Sequence, residues 1–258
     1  MDTIQLQAIE QTLREIEAAQ GFRILYACES GSRAWGFASR DSDFDVRYIF
    51  VWPHNEYLKV HAPPEYRHDD FGDLDMTGWE LRKALHHFGK SNASFYEWLG
   101  SPIVYFDAGL RTHLQNLMPH YLQTRTAAHH YLGLARQLWP QEAGESINGK
   151  KLLYVLRATL AARWILQHKT VPPVPFSELL PLIPNTALRA EIERLVEAKK
   201  DAIEADALPV SAALREFVIA TRIDCEEQAK TLAVAPVDFD ALDNLCRHIL
   251  LAGKLANS

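Results

Sequence analysis

The chain has 258 residues, enough for one large domain or two modest ones, and its 48% hydrophobic and 23% charged residues are the balance of a folded globular protein, not a disordered one. Lys+Arg 27 against Asp+Glu 33 leaves a formal net charge of −6, so any contact with phosphate must come from a local cluster working against the bulk field. No apolar run approaches the roughly 18 residues of a membrane span, and the start MDTIQLQAIEQ lacks the basic-then-apolar pattern of a signal peptide.

Cys28, Cys225 and Cys246 share no short spacing, which argues against a disulfide framework and a structural zinc site. These features together predict a soluble cytoplasmic protein without a membrane partner.

Ile9, Leu13 and Ile16 recur at helical spacing, with Gly21 as the stop. Residues 22–28 and 44–51 are rich in β-branched and aromatic types and read as strands. The stretch 29–42 between them is made of turn formers, and the Pro63-Pro64 region reads as loop. A third strand is predicted around 73–78, a helix from about Trp79 to Phe88, a second helix with Ser91 as N-cap, and a short strand over 103–106. From about residue 110 helical periodicity dominates, with prolines spacing the segments and no strand alternation. The fold class is therefore α+β: a mixed sheet with flanking helices over residues 1–107, then an all-helical domain over 108–258.

Strand alternation puts Asp43, Asp45 and Arg47 on one face, and Phe44, Val46 and Tyr48 on the other, which a core would cover. Two acids on one face repel unless a cation sits between them. Mg²⁺ accepts such a pair and keeps positions for water and phosphate oxygens, whereas the alternative is a solvated strand edge neutralised by Arg47. An EF-hand loop from Asp41 fails at Val46 and Trp52, and a P-loop from Gly31 fails at Phe37-Ala38. An aspartyl-nucleophile phosphatase fails because residues 39–42 are polar.

Gly31-Ser32, then ten residues, then Asp43-Phe44-Asp45 resembles the signature of the DNA polymerase β-type nucleotidyltransferase superfamily. Glu29-Ser-Gly-Ser-Arg-Ala-Trp-Gly36, Ser42-Asp-Phe-Asp-Val-Arg47, Gly78-Trp-Glu-Leu-Arg-Lys83, Lys90-Ser-Asn92, Glu97-Trp-Leu99 and Ser101-Pro-Ile-Val-Tyr105 narrow the likeness. Together they are similar to the predicted-nucleotidyltransferase branch that includes RNA-ligase-associated RNA-repair polymerases. The likeness is close over about the first 105 residues and looser over 149–165, with Ala93 standing where proline is expected.

The resemblance implies transfer of NMP from an NTP with release of pyrophosphate, chemistry that consists mostly of positioning and charge neutralisation. It implies that Asp43 and Asp45 hold Mg²⁺, with Mn²⁺ as a possible substitute, and that the Gly31-Ser32 turn receives the phosphates. It also implies a third metal-binding carboxylate, for which Asp75, flanked by Leu74 and Met76, is favoured over Asp73. Asp69, Asp70 and His68 are expected to be solvated loop residues.

Arg33 either reaches a phosphate or is a surface charge, Arg47 is favoured as partner of the acid pair, and Trp35 as a packing residue. On a helix over 150–168, Lys150, Tyr154 and Arg157 share a side that would suit nucleotide contacts, opposite an apolar side of Leu152, Val155, Leu156 and Leu160. The 11 histidines form no metal template. The acceptor implied by the resemblance is an RNA 3′ hydroxyl, with a functional link to a separately encoded RNA ligase. A protein or small-molecule acceptor, or a catalytically silent nucleotide-binding module, are the alternatives.

Overall fold

In the computed structural model, residues 3–139, 146–201, 207–209 and 211–252 are described, the side chains of 146–150, 201, 207–209 and 252 excepted. Helix α1 (Thr3–Gln20) buries Ile9, Leu13 and Ile16 at the predicted spacing and ends at Gly21, whose φ of 75° is the left-handed stop. Strand β1 (Arg23–Glu29) leads into a one-turn helix, α2 (Gly31–Trp35), and then β2 (Phe44–Val51). β3 (Tyr66–Asp70) and β4 (Leu74–Glu80) form a hairpin, and β5 (Val104–Asp107) completes the sheet.

The strand order is β3-β4-β2-β1-β5. β2 and β4 run parallel and the other neighbours antiparallel, so the sheet is mixed, as the α+β reading requires. The parallel pairing matters for the site because it sets the beginnings of β2 and β4 side by side. One face of the sheet, with Ala27, Val46, Tyr48, Phe50 and Met76, packs under α1. The other, with Leu25, Cys28, Ile49 and Val51, lies under α3 (Leu81–Gly89), α4 (Ala93–Gly100), α5 (Leu110–Tyr121) and α10 (Asp240–Ala252). Leu242 and Ile249 of α10 belong to this core, so the last helix returns to the sheet.

A third core joins α6 (Thr124–Leu138), α7 (Gly149–His168), α8 (Thr186–Asp201) and α9 (Ala212–Lys230). Leu152, Val155, Leu156 and Leu160 are buried there, as their helical spacing predicts. Phe37, from the loop after α2, also enters this core, which anchors that loop to the helices.

Several local expectations are corrected. Residues 66–70 form an edge strand instead of loop; Tyr-Arg-His-Asp-Asp has no apolar face, and its order comes from pairing with β4. The stretch after β1 contains the helical turn α2. The N-cap of α4 is Asn92, whose Oδ1 accepts the Phe95 N–H; Ser91 has φ 54°, and its hydroxyl donates to the Tyr121 carbonyl instead. α3 starts at Leu81, with the buried Glu80 carboxylate as its cap. Strand pairing also persists beyond residue 110, where β6 (Ser146–Asn148) pairs antiparallel with β7 (Ala207–Pro209).

Candidate active site

Asp45 and Asp75 stand directly opposite each other on β2 and β4. Alternation carries Asp45 and Arg47 to one side of β2, while Val46 and Tyr48 go to the α1 core. The repulsion between the two acids is answered by Arg47, whose Nη2 lies 2.9 Å from Asp45 Oδ1 and 3.0 Å from Asp75 Oδ2. Its Nη1 also donates to the Asp75 and Val46 carbonyls, each at 3.1 Å. Asp75, not Asp73, is therefore the residue coupled to Asp45: Asp73 precedes β4 and contributes its main-chain carbonyl to the Phe44 N–H. Asp75 Oδ1 is a buried acceptor without a hydrogen bond, with His68 Nδ1 of the edge strand 3.4 Å away.

Asp43 lies just ahead of β2 with an exposed side chain. Its position is fixed through the main chain. Arg33 Nε donates to the Asp43 carbonyl at 3.1 Å, its Nη2 donates to the Ser42 carbonyl, and its guanidinium carbon stacks 3.8 Å from the centre of the Phe44 ring. Arg33 is thus neither a bare surface charge nor an open phosphate donor in this structure. It clamps the loop that presents Asp43.

The Gly31-Ser32 turn opens α2, with both residues buried. Gly31 has φ 60°, and a Cβ there would stand 1.9 Å from Asp45 Oδ2, so the turn and the carboxylate touch only because residue 31 has no side chain. Behind them lies a residue that sequence reasoning missed. Glu29 is 0% exposed; its Oε1 accepts the Asp45 N–H at 3.0 Å, and its Oε2 accepts the Tyr105 hydroxyl. Burial pushes its carboxyl up to about 7, against the opposing pull of the Tyr105 and Asp45 hydrogen bonds. The sequence signals were an acid closing a largely apolar strand and its place at the head of the Glu29–Gly36 stretch shared with the family.

Among the described residues no three His, Cys, Asp or Glu side chains are grouped as a ready metal centre. The donor chemistry nevertheless suits a hard divalent cation. Asp45 and Asp75 supply a matched carboxylate pair, Asp43 an exposed carboxylate two residues before Asp45, and Asp75 Oδ1 an acceptor without a hydrogen bond. Cys28 adds nothing reactive, since burial pushes its thiol up to about 12.

The helical patch has two roles where one was expected. Tyr154 is half-buried edge-on to Trp35, ring centres 4.8 Å apart, so α7 does reach the helix that carries Gly31-Ser32. Arg157 is 3% exposed, with Nη1 2.7 Å from Glu97 Oε1 and the guanidinium over the Trp35 ring at 4.4 Å. Glu97 also accepts the Tyr131 hydroxyl at 2.5 Å and Trp35 Nε1 at 3.1 Å. Arg157 is an internal strut here, not part of an open nucleotide-facing surface, because Trp35 and Glu97 cover it. Lys150 lies in α7, and its side chain falls outside the described residues.

A sequence profile described as the RNA repair pathway DNA polymerase beta family matches residues 6–248. The chain is also 38% identical over 236 residues to the uncharacterized protein YcgL of Bacillus subtilis (strain 168), spanning 90% of this chain and 91% of that one. Among the described residues, no helix is long and apolar enough to cross a membrane.

Proposed function

Because the chain belongs to the RNA repair pathway DNA polymerase beta family, we propose that it transfers a nucleoside monophosphate from an NTP to an RNA 3′ hydroxyl, releasing pyrophosphate. The family supports the coarser reading, a polymerase-β-like nucleotidyltransferase in RNA repair. The in-register Asp45–Asp75 pair on parallel strands, with Asp43 at the head of β2 and the Gly31-Ser32 turn against Asp45, is the observation that supports NMP transfer, and the RNA 3′ hydroxyl is supported by the family alone.

In this reading Asp43, Asp45 and Asp75 hold Mg²⁺ or Mn²⁺. The bound ions supply charge neutralisation for the triphosphate and for the attacking and leaving oxygens. The chain's own groups do the positioning. Arg47 sets the spacing of Asp45 and Asp75, Arg33 presents Asp43, and the turn at Gly31 and Ser32 receives the phosphates, its glycine permitting close backbone approach. Asp75, whose Oδ1 accepts no hydrogen bond and has His68 Nδ1 3.4 Å away, is the carboxylate assigned to the acceptor side. Residues 1–107 carry the chemistry, and within residues 108–258 Tyr154 of α7 reaches the helix of the Gly31-Ser32 turn while Arg157 braces Trp35.

The net charge of −6 means that RNA is held locally, and a cation bound at these carboxylates offsets part of that field. The test is an acceptor screen: enzyme, Mg²⁺ and labelled NTPs with RNA, proteins or small hydroxyl compounds. Labelling of RNA, abolished in Asp43→Ala and Asp45→Ala, is the expected result. Labelling of protein or small molecules alone replaces the acceptor, and nucleotide binding without any transfer makes the chain a silent module.

A further inference from the structure

Asp45 is gripped from three directions. Arg47 holds Oδ1, Gly31 lies against Oδ2, and the buried Glu29 carboxylate accepts its main-chain N–H. The first two follow from the chemistry already described. The third does not, since a hydrophobic side chain of similar size would fill the space behind β2 without burying a carboxylate.

Three more contacts make Glu29 a fixed point. Its main-chain N–H donates to the Ile103 carbonyl at 3.0 Å, its own carbonyl accepts the Ser101 hydroxyl at 2.6 Å, and Tyr105 of β5 donates to Oε2. The next residue, Ser30, donates its N–H to the Asp45 carbonyl at 2.8 Å. Both main-chain polar groups of Asp45 are thus bonded to the Glu29-Ser30 corner, and that corner is tied to the opposite edge of the sheet. The backbone of Asp45 and the Gly31 turn that starts one residue later are held as one piece.

We propose that Glu29 is a positioning residue that, backed by Tyr105, fixes Asp45 and the Gly31-Ser32 turn in the mutual geometry needed to bind a divalent cation. It acts through its two acceptor oxygens and touches neither substrate nor cation. This rests on the reading of Asp45 as a cation ligand. Glutamine retains an oxygen for the Asp45 N–H and offers an amide N–H₂ to the Tyr105 oxygen, so it keeps both links. Alanine keeps neither. Phenylalanine at 105 removes only the anchor.

The experiment is Mn²⁺ titration followed by EPR of the free ion on wild type, Glu29→Gln, Glu29→Ala, Tyr105→Phe and Asp45→Asn, with thermal melts run alongside. Activity is measured in the same series as kcat and as KM for NTP. Wild-type-like Mn²⁺ affinity, within twofold, is expected for Glu29→Gln. A loss of about tenfold is expected for Glu29→Ala and about threefold for Tyr105→Phe, with kcat falling in the same order and KM for NTP within twofold. If Glu29→Ala does not fold, Tyr105→Phe and Glu29→Gln decide.

The inference is overturned if Glu29→Ala or a folded Tyr105→Phe binds Mn²⁺ as wild type does, or if Glu29→Gln is as defective as removal of the side chain. Failure of the underlying reading looks different. There, wild type and Asp45→Asn bind Mn²⁺ equally or not at all, and the inference about Glu29 falls with it.

Discussion

Replacing Gly31 by alanine tests the contact on which the site is built. Two costs can be separated. A left-handed φ of 60° at a residue with a Cβ costs about 1–2 kcal/mol, which for a chain of this length lowers Tm by roughly 2–8 °C. The second cost falls on function. The new Cβ would lie 1.9 Å from Asp45 Oδ2, where ordinary contact starts near 3.4 Å, so the carboxylate and the turn must separate by about 1.5 Å. Misplacement by about 1 Å is enough to cost roughly a hundredfold in rate when catalysis is mainly positioning.

Gly31→Ala should therefore remain folded, melt a few degrees lower, and transfer NMP at least about a hundredfold more slowly in single-turnover assays at saturating NTP. A folded Gly31→Ala protein with a rate within threefold of wild type would refute the reasoning, because Asp45 would not need its place against the turn.

Arg157→Ala should act on stability: it leaves Glu97 buried without its cation, a loss of about 3–5 kcal/mol by chemical denaturation. If it instead remains stable while KM for NTP rises strongly, Arg157 contacts nucleotide. Burial holds the His87 and His130 imidazoles below the ordinary histidine range, with Lys83 and His86 adding to the shift at His87 and Glu97 opposing it at His130. The sign follows from linkage: their unfolded forms take up protons as pH falls through about 6.5 while the folded forms do not, so each histidine should lower stability from pH 7.5 to 5.5, against the opposite contribution of Glu29, whose folded carboxyl near 7 takes up a proton over the same range. Urea denaturation at both pH values should show a smaller drop in His130→Asn, and an unchanged drop would contradict it.

Residues with their own local pattern were the legible ones. β2 spans the predicted 44–51 because Asp45 and Arg47 alternate with Val46 and Tyr48, and α1 followed from Ile9, Leu13 and Ile16. Asp43 and Asp45 were visible because their two-residue spacing is itself the signal, although Asp43 lies just ahead of β2, and Asp75 was visible through the resemblance. β3 was not, since its order comes from pairing to β4 across a turn and its residues look like solvated loop. Arg33 and Arg157 were read as charges available to a ligand because their partners are set by folding. The Asp43 and Ser42 carbonyls lie across a loop from Arg33, and Glu97 is 60 residues from Arg157. Glu29 was hidden for the same reason, since Tyr105, 76 residues on, and the Asp45 main chain meet it only in the folded sheet.

The acceptor proposed for this protein is a 3′ hydroxyl of RNA, and two oligonucleotides differing only at that group test it most directly. With Mg²⁺ and α-labelled NTP, an RNA ending in a 3′ hydroxyl should gain label and length on a denaturing gel, while its 3′-deoxy counterpart should gain neither, and Asp45→Asn should abolish the product. Equal labelling of both oligonucleotides, or label found only on protein or a small molecule, would rule out that acceptor.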